Sequence, residues 1–536
     1  MKTPAFVLMA LAVSASAFSQ TSVPAAPTLT AGAEFKGLRF DWDTVAGATW
    51  YQLEYRAHQT GDFAQIGDDY PATATSTHFS FPVHLYDWTN ARYRLAACNS
   101  AGCSRSATVS VSNLRLDAVG YFKSSQPQAE ALFGASGDLS PDGYNFAVAA
   151  PQENHTETGA FLTGGAAYVF RRGSNGKWFQ RARLAVNDYV WAMDGLDLAV
   201  ATSGSGNTIA VGLASYSVNS QEGGGPWGEV DVYHAKPGSG SYTHTRIPRP
   251  AVNSFATSVA LSESGYILAV GVTDAQMSAA IYKLVNGAWQ NVRNLPGSPD
   301  GTELCLAPVM SRDGKTIAQL CRTFATPARA YVRVYSGSNW VVRTDIDLET
   351  AASGRLEWGH NGISIDSAGN TIAVQFSKGL DPFPNGTAEV RVYKRGSTGF
   401  TQVARLTPGA WRTQDRGYEY GTKLSLSGDG QTLAVGDSYD NGTGTGPRAA
   451  PLVSGTTQTG AVYVYRLSST WKLANVVKPN YLPISPGAWG FGWVVSLSQS
   501  GKTLLIPVGN ESSSAKGIDG NWANADLHRS GAAFLY

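Results

Sequence analysis

The sequence predicts an all-β protein in which a small β-sandwich is followed by a β-propeller of seven four-stranded sheets. Three observations lead to this prediction. Apolar and polar residues alternate with a period of two over residues 24–113, as in strands with one buried face. From residue 114 onward, a short turn that ends in glycine recurs seven times. Each turn is followed, after a loop of varying length, by a strand rich in aromatic residues.

The recurring turn defines a repeat of about sixty residues. Its seven copies are Ser140–Gly143, Ser203–Gly206, Ser262–Gly265, Ser311–Gly314, Asp366–Gly369, Ser427–Gly430 and Ser498–Gly501. Successive glycines are 63, 59, 49, 55, 61 and 71 residues apart. Self-similarity at such a period indicates a repeat architecture, in which neighbouring copies bury each other's apolar faces.

Each repeat is predicted to contain four strands. An apolar strand such as Ser258–Leu261 precedes the turn, and a nearly continuous apolar strand such as Thr432–Val435 follows it. The third strands are Ala166–Phe170, Glu229–Tyr233, Ala279–Tyr282, Tyr331–Tyr335, Glu389–Tyr393, Ala461–Tyr465 and Ala532–Tyr536. The fourth strands are more polar and are expected to begin at Trp178, Tyr242, Trp289, Trp340, Phe400 and Trp471. Seven repeats of four antiparallel strands predict a seven-bladed propeller.

The seventh repeat reaches only its third strand at Tyr536, so its fourth strand has to come from elsewhere. Residues 116–123 precede the first repeat and are patterned like the fourth strands of the other repeats. We expect these residues to complete the seventh sheet. This closure would join the two ends of the ring and leave no open sheet edge.

Residues 24–113 are predicted to form a separate domain. Phe40 and Trp42 belong to one alternating strand, Tyr51 to a second and Tyr93 to a third, which runs into a turn of small residues. This stretch of about ninety residues resembles a fibronectin type III domain, with Trp42 in the place of its core tryptophan and Tyr93 in that of its tyrosine corner. The resemblance implies that Trp42, Tyr51 and Tyr93 are core residues and not ligand contacts.

Two stretches of the repeats show a further resemblance: Phe255-Ala-Thr-Ser-Val-Ala-Leu-Ser and Tyr420-Gly-Thr-Lys-Leu-Ser-Leu-Ser, which continue to Gly271 and Gly436. They resemble FG-GAP repeats, the units of the integrin α-chain propeller and of many exported bacterial proteins. The phenylalanine-glycine element also occurs at Phe133–Gly134 and Phe491–Gly492, with Trp358–Gly359 as a variant and Ala149–Pro151 standing for the GAP element. The resemblance covers about 420 residues.

The first residues are typical of an exported protein. Lys2 precedes an apolar run over 5–13, and Ala15 and Ala17 fit a signal-peptidase site, so residues 1–19 are predicted to be a signal peptide. The two domains then span residues 20–113 and 114–536. No later apolar run is long enough for a transmembrane helix. The destination is the periplasm, the cell surface or the medium.

The four cysteines form two pairs that are close in sequence, Cys98 with Cys103 and Cys305 with Cys321. In an exported chain, close pairs favour disulfides. The alternative, a zinc site, would need histidines at finger-like spacing near these cysteines, and the eight histidines are scattered. A net charge of +1 argues against a nucleic-acid partner.

Calcium binding is the one metal hypothesis that the sequence raises. Integrin-like repeats carry closely spaced aspartates between their first and second strands, and here that loop has shrunk to turns such as Ser311–Gly314. The resemblance therefore does not extend to calcium sites. A weaker candidate lies after the second strand of the sixth repeat, where Asp437, Asp440 and Asn441 are close together; these residues also suit a turn without an ion.

The sequence contains no recognisable catalytic motif: the G-x-S-x-G and H-E-x-x-H patterns are both absent. The carboxylate pairs Asp194 with Asp197 and Asp345 with Asp347 lack a matching nucleophile, and a propeller brings surface acids together routinely. His360 is expected to be a packed or solvent-facing residue. No catalytic residue is therefore predicted.

The connections between second and third strands are long in repeats one, two, six and seven, over about 151–164, 214–227, 437–459 and 509–530. Because propellers carry function on the loops of one face, this face is the predicted binding surface. Seven aromatic residues are expected there, and each of them is alternatively a residue that packs between blades: Trp191, Tyr216, Trp227, Trp411, Tyr439, Trp489 and Trp522. Exposed aromatic rings suit sugar rings or protein surfaces.

Three functions are compatible with this reading. The first is a non-enzymatic exported binding or adhesion protein that holds a protein or glycan on the loop face. The second is an extracellular polysaccharide hydrolase or lyase, which needs carboxylates or Tyr, His or Arg groups converging at the central channel. The third is a scaffold for an envelope protein complex, which predicts co-purifying partners. The sequence does not identify the ligand.

Overall fold

The structure is a computed structural model. It describes residues 22–153, 165–186, 197–214, 228–237, 239–252, 254–324, 328–351, 362–378, 387–408, 420–447, 459–479 and 490–536, and the predicted signal peptide lies outside this part of the chain. The chain divides into two compact units. The first contains the described residues up to Gly32 with Leu38–Phe79 and Trp88–Asn113, and the second contains Ala33–Gly37, Ser80–Asp87 and Leu114–Tyr536.

The first unit consists of strands in two sheets. One sheet has the strand order Leu29–Glu34, Gly37–Trp42, Ser76–Ser80. The second has the antiparallel strands Trp50–Arg56, Arg92–Asn99 and Gly102–Arg105, extended by the short strands Ala64–Gln65, Tyr70–Pro71 and Val109–Ser110. A single turn of 3₁₀ helix, Ser112–Leu114, follows.

Aromatic side chains form the core of the first unit. Trp42, Tyr51 and Tyr93 are buried, which confirms that they are core residues. The ring of Tyr93 lies 4.7 Å from that of Phe40, and the ring of Trp42 lies 5.7 Å from that of Tyr51, both measured between centroids. The predicted disulfide between Cys98 and Cys103 is present and joins directly opposed residues of a hairpin.

In the described part of the second unit, the strands form seven sheets, numbered here in chain order. Their strands are, in sheet 1, Ser136–Leu139, Asn145–Ala150, Ala166–Arg172 and Trp178–Ala185; in sheet 2, Asp197–Thr202, Thr208–Ala214, Glu229–Ala235 and Tyr242–Arg246; in sheet 3, Ser254–Leu261, Ile267–Thr273, Met277–Val285 and Ala288–Pro296; in sheet 4, Glu303–Cys305, Val309–Met310, Thr316–Thr323, Ala328–Ser336 and Val342–Ala351; in sheet 5, Ile363–Ile365, Thr371–Lys378, Thr387–Gly396 and Gly399–Leu406; in sheet 6, Leu424–Leu426, Thr432–Asp437, Ala461–Leu467 and Trp471–Val477; and in sheet 7, Ser496–Leu497, Leu504–Val508, Ala532–Leu535 and Gly120–Phe122. The strand pairings are antiparallel and join successive strands, except that in sheet 4 both Glu303–Cys305 and Val309–Met310 pair with Thr316–Thr323.

The seventh sheet is completed from the beginning of the second unit. Gly120, Tyr121 and Phe122 pair with Leu535, Phe534 and Ala533 of the last strand. The pairing predicted for residues 116–123 is thus found over Gly120–Phe122. The last strand of the chain consequently has a partner on both sides and presents no free backbone edge.

The seven turns adopt one conformation for a chemical reason. In six of them the serine Oγ accepts a hydrogen bond from the backbone N–H five residues later, as in Ser140 with Asn145 at 2.9 Å. The glycine at the end of each turn has φ between 63° and 74°, a region in which side chains with a Cβ are disfavoured. The sequence pattern Ser-x-x-Gly thus encodes the turn locally.

The turns are also hydrogen-bonded to one another in order. A backbone N–H of each turn donates to a carbonyl of the next, through the pairs Gly204 and Glu263, Glu263 and Arg312, Asp313 and Ser367, Ser367 and Gly428, Asp429 and Gln499, and Gln499 and Pro141. The last pair joins the seventh turn to the first. Pro141 has no N–H to donate to the second turn, and there Asn145 Nδ2 donates to the Ser205 carbonyl at 3.0 Å instead.

The apolar cores lie between neighbouring sheets. One cluster joins sheets 1 and 2 through residues such as Val169 and Val211, and similar clusters join each pair from sheets 2 and 3 to sheets 5 and 6. A further cluster joins sheet 7 to sheet 1 and contains Leu505, Leu535 and Phe146. This strand order, with contacts that return from the last sheet to the first, is that of a β-propeller.

Glycines at the start of third strands allow the phenylalanine of the next sheet to approach. A Cβ on Gly228, Gly460 or Gly531 would lie about 2 Å from the carbonyl oxygen of Phe255, Phe491 or Phe133, respectively. These three phenylalanines are buried. Each phenylalanine can therefore reach its buried position only because the preceding sheet has a glycine at this point.

Replacing Gly531 with alanine is expected to reduce the free energy of unfolding by about 3 kcal/mol, because the new Cβ adds positive-φ strain to a clash with the Phe133 carbonyl. Gly517→Ala is the matched control, since Gly517 also has positive φ but nothing lies within 4 Å of its added Cβ. Urea denaturation of both variants measures the difference. Equal losses of stability would show that the contact with Phe133 is unimportant.

Sheet 4 departs from the regular pattern. Its first strand is split into Glu303–Cys305 and Val309–Met310, and the predicted disulfide between Cys305 and Cys321 fastens the first piece to the second strand. The prediction that its fourth strand begins at Trp340 is wrong. Trp340 precedes that strand with φ of 52°, because its buried indole donates to the Gly314 carbonyl.

Candidate functional site

The long connections of the second unit lie at one end of its sheets. Because successive strands are antiparallel, the Ser-x-x-Gly turns lie at one end and the connections between second and third strands lie at the other. We call this other end the loop face. The long connections follow the second strands of sheets 1, 2, 6 and 7, which end at Ala150, Ala214, Asp437 and Val508.

Two of the seven aromatic residues predicted for the loop face are described. Tyr439 and Trp522 are both partly exposed. Trp522 lies in the connection of sheet 7, where the Asn524 carboxamide accepts hydrogen bonds from the N–H and hydroxyl of Ser514 at 2.8 and 3.1 Å. The other five residues lie outside the described part of the chain: Trp191, Tyr216, Trp227, Trp411 and Trp489.

Three long connections begin with a buried carboxylate at one equivalent position. Glu153, Asp440 and Glu511 each lie three residues beyond the end of a second strand and are 2–4% exposed. Each forms an ion pair with a cation on or directly after the fourth strand of its own sheet. In register with the third strand, the corresponding positions in sheets 3 and 4 are Ala275 and Phe324, three residues beyond Val272 and Cys321, because these second strands continue one or two residues farther before a shorter connection. Where the structure describes this position, it is a buried carboxylate in sheets 1, 6 and 7, which have long connections, and not in sheets 3 and 4, which have short ones.

In sheet 6, the Asp440 carboxylate is held on both oxygens. The Lys478 ammonium donates to Oδ1 at 2.6 Å, the Tyr463 hydroxyl donates to Oδ2 at 2.6 Å, and the Gly442 N–H donates to Oδ1 at 2.9 Å. The Lys478 side chain is fully buried. Burial alone would raise the pKa of the Asp440 carboxyl, but Lys478 and these hydrogen bonds lower it below the ordinary value.

This geometry does not fit a calcium ion at Asp437, Asp440 and Asn441. Calcium needs several oxygen ligands that face one point, and the ammonium of Lys478 takes that place beside Asp440. Among the residues that the structure describes, no group of three or more His, Cys, Asp and Glu side chains is arranged to hold a metal. Lys478 supplies the positive charge that an ion would otherwise supply.

In sheet 7, the cation comes from the strand that closes the ring. Lys123 follows Phe122 and donates to Glu511 Oε2 at 2.7 Å, to the Ser530 hydroxyl at 2.7 Å and to the Ser513 carbonyl at 2.5 Å. Burial lowers the pKa of the Lys123 ammonium, and the Glu511 carboxylate opposes that effect. The pair fixes the start of the sheet 7 connection to the first strand of the second unit.

In sheet 1, the cation is an arginine. Arg183 Nε donates to Glu153 Oε1 at 2.8 Å, and the buried Tyr168 hydroxyl donates to Glu153 Oε2 at 2.7 Å. Ser124 in turn donates to the Tyr168 hydroxyl at 3.0 Å. Burial raises the pKa of Tyr168, and the charge of Glu153 adds to the effect, so Tyr168 remains a neutral donor.

The first strands of all seven sheets surround a central cavity of about 230 Å³. It is polar along sheets 5, 6 and 7, where Ser364, Ser425 and Ser496 accept hydrogen bonds from the N–H of Leu426, Leu497 and Leu139 in the next sheet. Along sheets 2 and 3 its walls are apolar: Val200, Ala201, Val259, Ala260 and Leu261. These serines join neighbouring first strands as well as lining the cavity.

One ion pair crosses the cavity near the turns. Arg312 of the fourth turn donates to Asp138 of sheet 1 at 3.2 Å and to the Thr202 carbonyl at 2.8 Å. Asp138 also accepts hydrogen bonds from Thr202 N and from the Ser496 hydroxyl at 2.8 and 3.0 Å. Asp138 is the one carboxylate that lines this cavity among the described residues. Its lone pairs are therefore committed to structural contacts.

Sequence reasoning did not identify the cations of these clusters. Lys123 and Lys478 directly follow apolar residues at the end of a strand, as in Val476-Val477-Lys478. A charged residue in such a run is a usable signal, because full burial of lysine requires a partner. No corresponding signal in the sequence indicates that Arg312 reaches across the ring.

No helix in the described part of the chain has the length and apolar character needed to cross a bilayer. No family model matches the chain, and no curated protein matches it.

Comparison with solved structures gives three examples of similar chains. A periplasmic gluconolactonase from Pseudomonas aeruginosa has a TM-score of 0.38 at 14% identity, over 82% of this chain and 98% of that chain. Sqt1 from Chaetomium thermophilum, solved with the N-terminus of ribosomal protein L10, has a TM-score of 0.39 at 13% identity, over 73% and 85%. TolB from Acinetobacter baumannii has a TM-score of 0.30 at 11% identity, over 71% and 79%. Similarity at this level carries no conclusion about ligand or activity.

Proposed function

We propose that the protein is an exported, non-enzymatic binding protein that holds a protein or glycan on its loop face. The observation that carries this proposal is the buried ion pair at the base of three long connections, Glu153 with Arg183, Asp440 with Lys478 and Glu511 with Lys123. Such pairs fix the start of each loop at considerable desolvation cost. Loops anchored in this way lose less entropy when they bind a partner.

The proposed scaffold is a seven-bladed propeller of the FG-GAP type. The ordered hydrogen bonds between turns and the pairing of Gly120–Phe122 with the last strand support seven blades in a closed ring. Contacts of Gly228, Gly460 and Gly531 with the next phenylalanine give the phenylalanine-glycine element a physical role. The domain ranges 20–113 and 114–536 remain part of this proposal.

The proposed fibronectin type III-like domain would serve as a spacer or second contact. Its three-stranded sheet and the sheet built on Trp50–Arg56 and Arg92–Asn99 support this family, as does the buried Trp42. Export is supported by the pairing of all four cysteines in disulfides, which suits an oxidising compartment. A signal peptide over residues 1–19 belongs to the same proposal.

The alternative, a polysaccharide-active enzyme, has less support. Most glycoside hydrolases use two carboxyl groups that flank the scissile bond. The described cavity offers Asp138 alone, and Asp138 is occupied by Arg312 and Ser496. The scaffold alternative differs from the main proposal in expecting stable co-purifying proteins and no small ligand.

An array of glycans and exported proteins, probed with mature protein and the variants Trp522→Ala and Tyr439→Ala, tests the loop face. We expect at least one variant to weaken binding about tenfold, because an aromatic contact at a binding site is worth more than 1 kcal/mol. The control is Tyr266→Ala, which removes an exposed aromatic residue next to a Ser-x-x-Gly turn at the opposite end of the sheets. Loss of binding in the control alone would place the site at the turns.

A further inference from the structure

A second cleft lies between the outer strands of sheets 1 and 2. Its volume is about 480 Å³, within the range of small-ligand sites. Alternate residues of neighbouring strands point into it: Arg181 and Arg183 from sheet 1, and Asp231, Tyr242, His244 and Arg246 from sheet 2. The cleft thus combines three arginines with aromatic rings.

Buried carboxylates hold most of the cations in place. Asp231, with a side chain that is 5% exposed, lies 3.0 Å from Arg246 Nε and 2.8 Å from His244 Nε2. Glu153 holds Arg183 in the same way at 2.8 Å. The side chains that Asp231 contacts nevertheless face outward, since those of Arg246 and His244 are 40% and 46% exposed. Their positions are therefore set before any ligand arrives.

Arg181 is held by neutral groups. Its guanidinium lies 5.1 Å from the centroid of the Tyr242 ring, and Nη1 donates to Asn207 Oδ1 at 3.1 Å. None of the described carboxylates forms a salt bridge with Arg181. Burial raises the pKa of Tyr242, and the nearby charges of Arg181 and the exposed Arg171 oppose that effect. Arg246 pairs with Glu229 at 2.8 Å as well as with Asp231, and Arg183 pairs with Glu153. Among the described residues, the positive charge of this cleft without an acidic partner is therefore that of Arg181.

We propose that this cleft binds an acidic carbohydrate, through the carboxylate or sulfate groups of its sugar units. Guanidinium groups match the paired oxygens of such anions, and fixed arginines make that recognition specific. The rings of Tyr242 and Tyr233 offer surfaces on which a sugar ring can lie. The Glu153–Arg183 pair belongs both to this cleft and to the base of the sheet 1 connection, whereas the aromatic residues named for the two surfaces differ.

Titration calorimetry with the full mature protein tests the proposal. The probes are oligogalacturonate, which carries carboxylates, and a heparin oligosaccharide, which carries sulfates as well, with neutral dextran oligosaccharide and poly-glutamate for comparison. We expect one or both acidic glycans to bind and to bind more weakly as salt is raised, while neutral dextran does not bind. Comparison of the two acidic glycans shows whether the cleft prefers carboxylate or sulfate groups.

The variant that removes Arg181 and Arg246 together, Arg181→Gln with Arg246→Gln, is expected to weaken binding about tenfold or more. The control is Arg405→Gln. Arg405 occupies the register position of Arg183 in sheet 5 and likewise pairs with an acid, Glu389, at 2.7 Å. It should leave the affinity unchanged, since it lies outside the cleft.

If the double variant does not fold, Arg181→Gln alone keeps the test decisive, because Arg181 has no buried ionic partner and its loss should not disturb the core. The proposal is overturned if neither acidic glycan binds, if Arg181→Gln binds them as wild type does, or if dextran or poly-glutamate binds equally well. Equal binding of poly-glutamate would indicate an acidic peptide instead. The loop-face variants Trp522→Ala and Tyr439→Ala are measured separately, so the failure of this proposal can be told apart from the failure of the loop-face proposal.

Discussion

Replacing Lys123 with methionine is expected to lower the free energy of unfolding by about 3–5 kcal/mol, because it leaves the Glu511 carboxylate buried without its counter-ion. Glu511 would retain neutral donors such as the Ser513 N–H at 2.8 Å, which do not balance its charge. The effect should be unusually large for a single residue at the start of the second unit. Urea denaturation at pH 7 measures it.

Two further variants separate charge from volume. Lys123→Met combined with Glu511→Leu removes both charges and should recover most of the lost stability, since apolar replacement of a whole buried pair is often neutral. Lys315→Met removes an exposed lysine from a turn and should change stability by less than about 0.5 kcal/mol. Failure of the combined variant to recover would mean that Lys123 acts through its contacts with Ser513 and Ser530 and not through charge.

The Lys123→Met variant should also acquire a pH dependence. Without Lys123, the buried Glu511 carboxylate lacks its counter-ion, and burial favours the uncharged side chain. The penalty is therefore present where Glu511 is charged and shrinks as the side chain takes up a proton at lower pH. The difference in stability between wild type and variant is therefore expected to be smaller at pH 5 than at pH 8.

The parts of the fold that could be predicted are those encoded within a few residues. The serine Oγ at Ser140 and its equivalents accepts a bond from the fifth residue onward, and Gly143 and its equivalents supply positive φ. Both effects are local: the hydrogen bond recurs in six turns and the positive φ in all seven, so the repeated sequence pattern reveals them directly. The fourth strand of sheet 7 could also be predicted, because residues 116–123 carry the same pattern as the fourth strands of the other repeats.

The ion pairs could not be predicted, because their partners are distant in sequence. Asp440 and Lys478 are 38 residues apart, and Lys123 and Glu511 are 388 residues apart. In the sequence, Asp440 has only Asp437 and Asn441 nearby, a combination that suits calcium as well as a turn. Only the pairing of third and fourth strands in sheet 6 brings the lysine to the carboxylate and changes the interpretation.

Long-range geometry likewise determines the central cavity. Arg312 is one of the variable residues inside a Ser-x-x-Gly turn, where any polar residue is tolerated. The ring places that turn opposite Asp138, which is 174 residues earlier, and the guanidinium spans the space between them. The local motif thus predicts the turn correctly and gives no information about the side chain that points into the cavity.

Replacing Asp440 with leucine is expected to lower the free energy of unfolding by about 3–5 kcal/mol, because the fully buried Lys478 ammonium then loses its ion pair with Asp440. Adding Lys478→Met to this variant should restore most of the stability. Calcium or a chelator should change the melting temperature of none of these proteins, and a rise of several degrees for wild type alone with calcium would restore the calcium hypothesis.

The pH dependence of the Asp440→Leu variant should have the opposite sign to that of Lys123→Met. Removing the Asp440 carboxylate takes away an interaction that favours the charged form of the buried Lys478, so the penalty shrinks as pH rises and the neutral form becomes accessible. In wild type, the lowered pKa of Asp440 gives a contribution that is present at neutral pH and lost as pH falls through that pKa. Melting curves at pH 5, 7 and 9 would distinguish the two variants. If the charges of the ion pairs matter, the loss of stability in Lys123→Met should shrink at low pH, and the loss in Asp440→Leu should shrink at high pH.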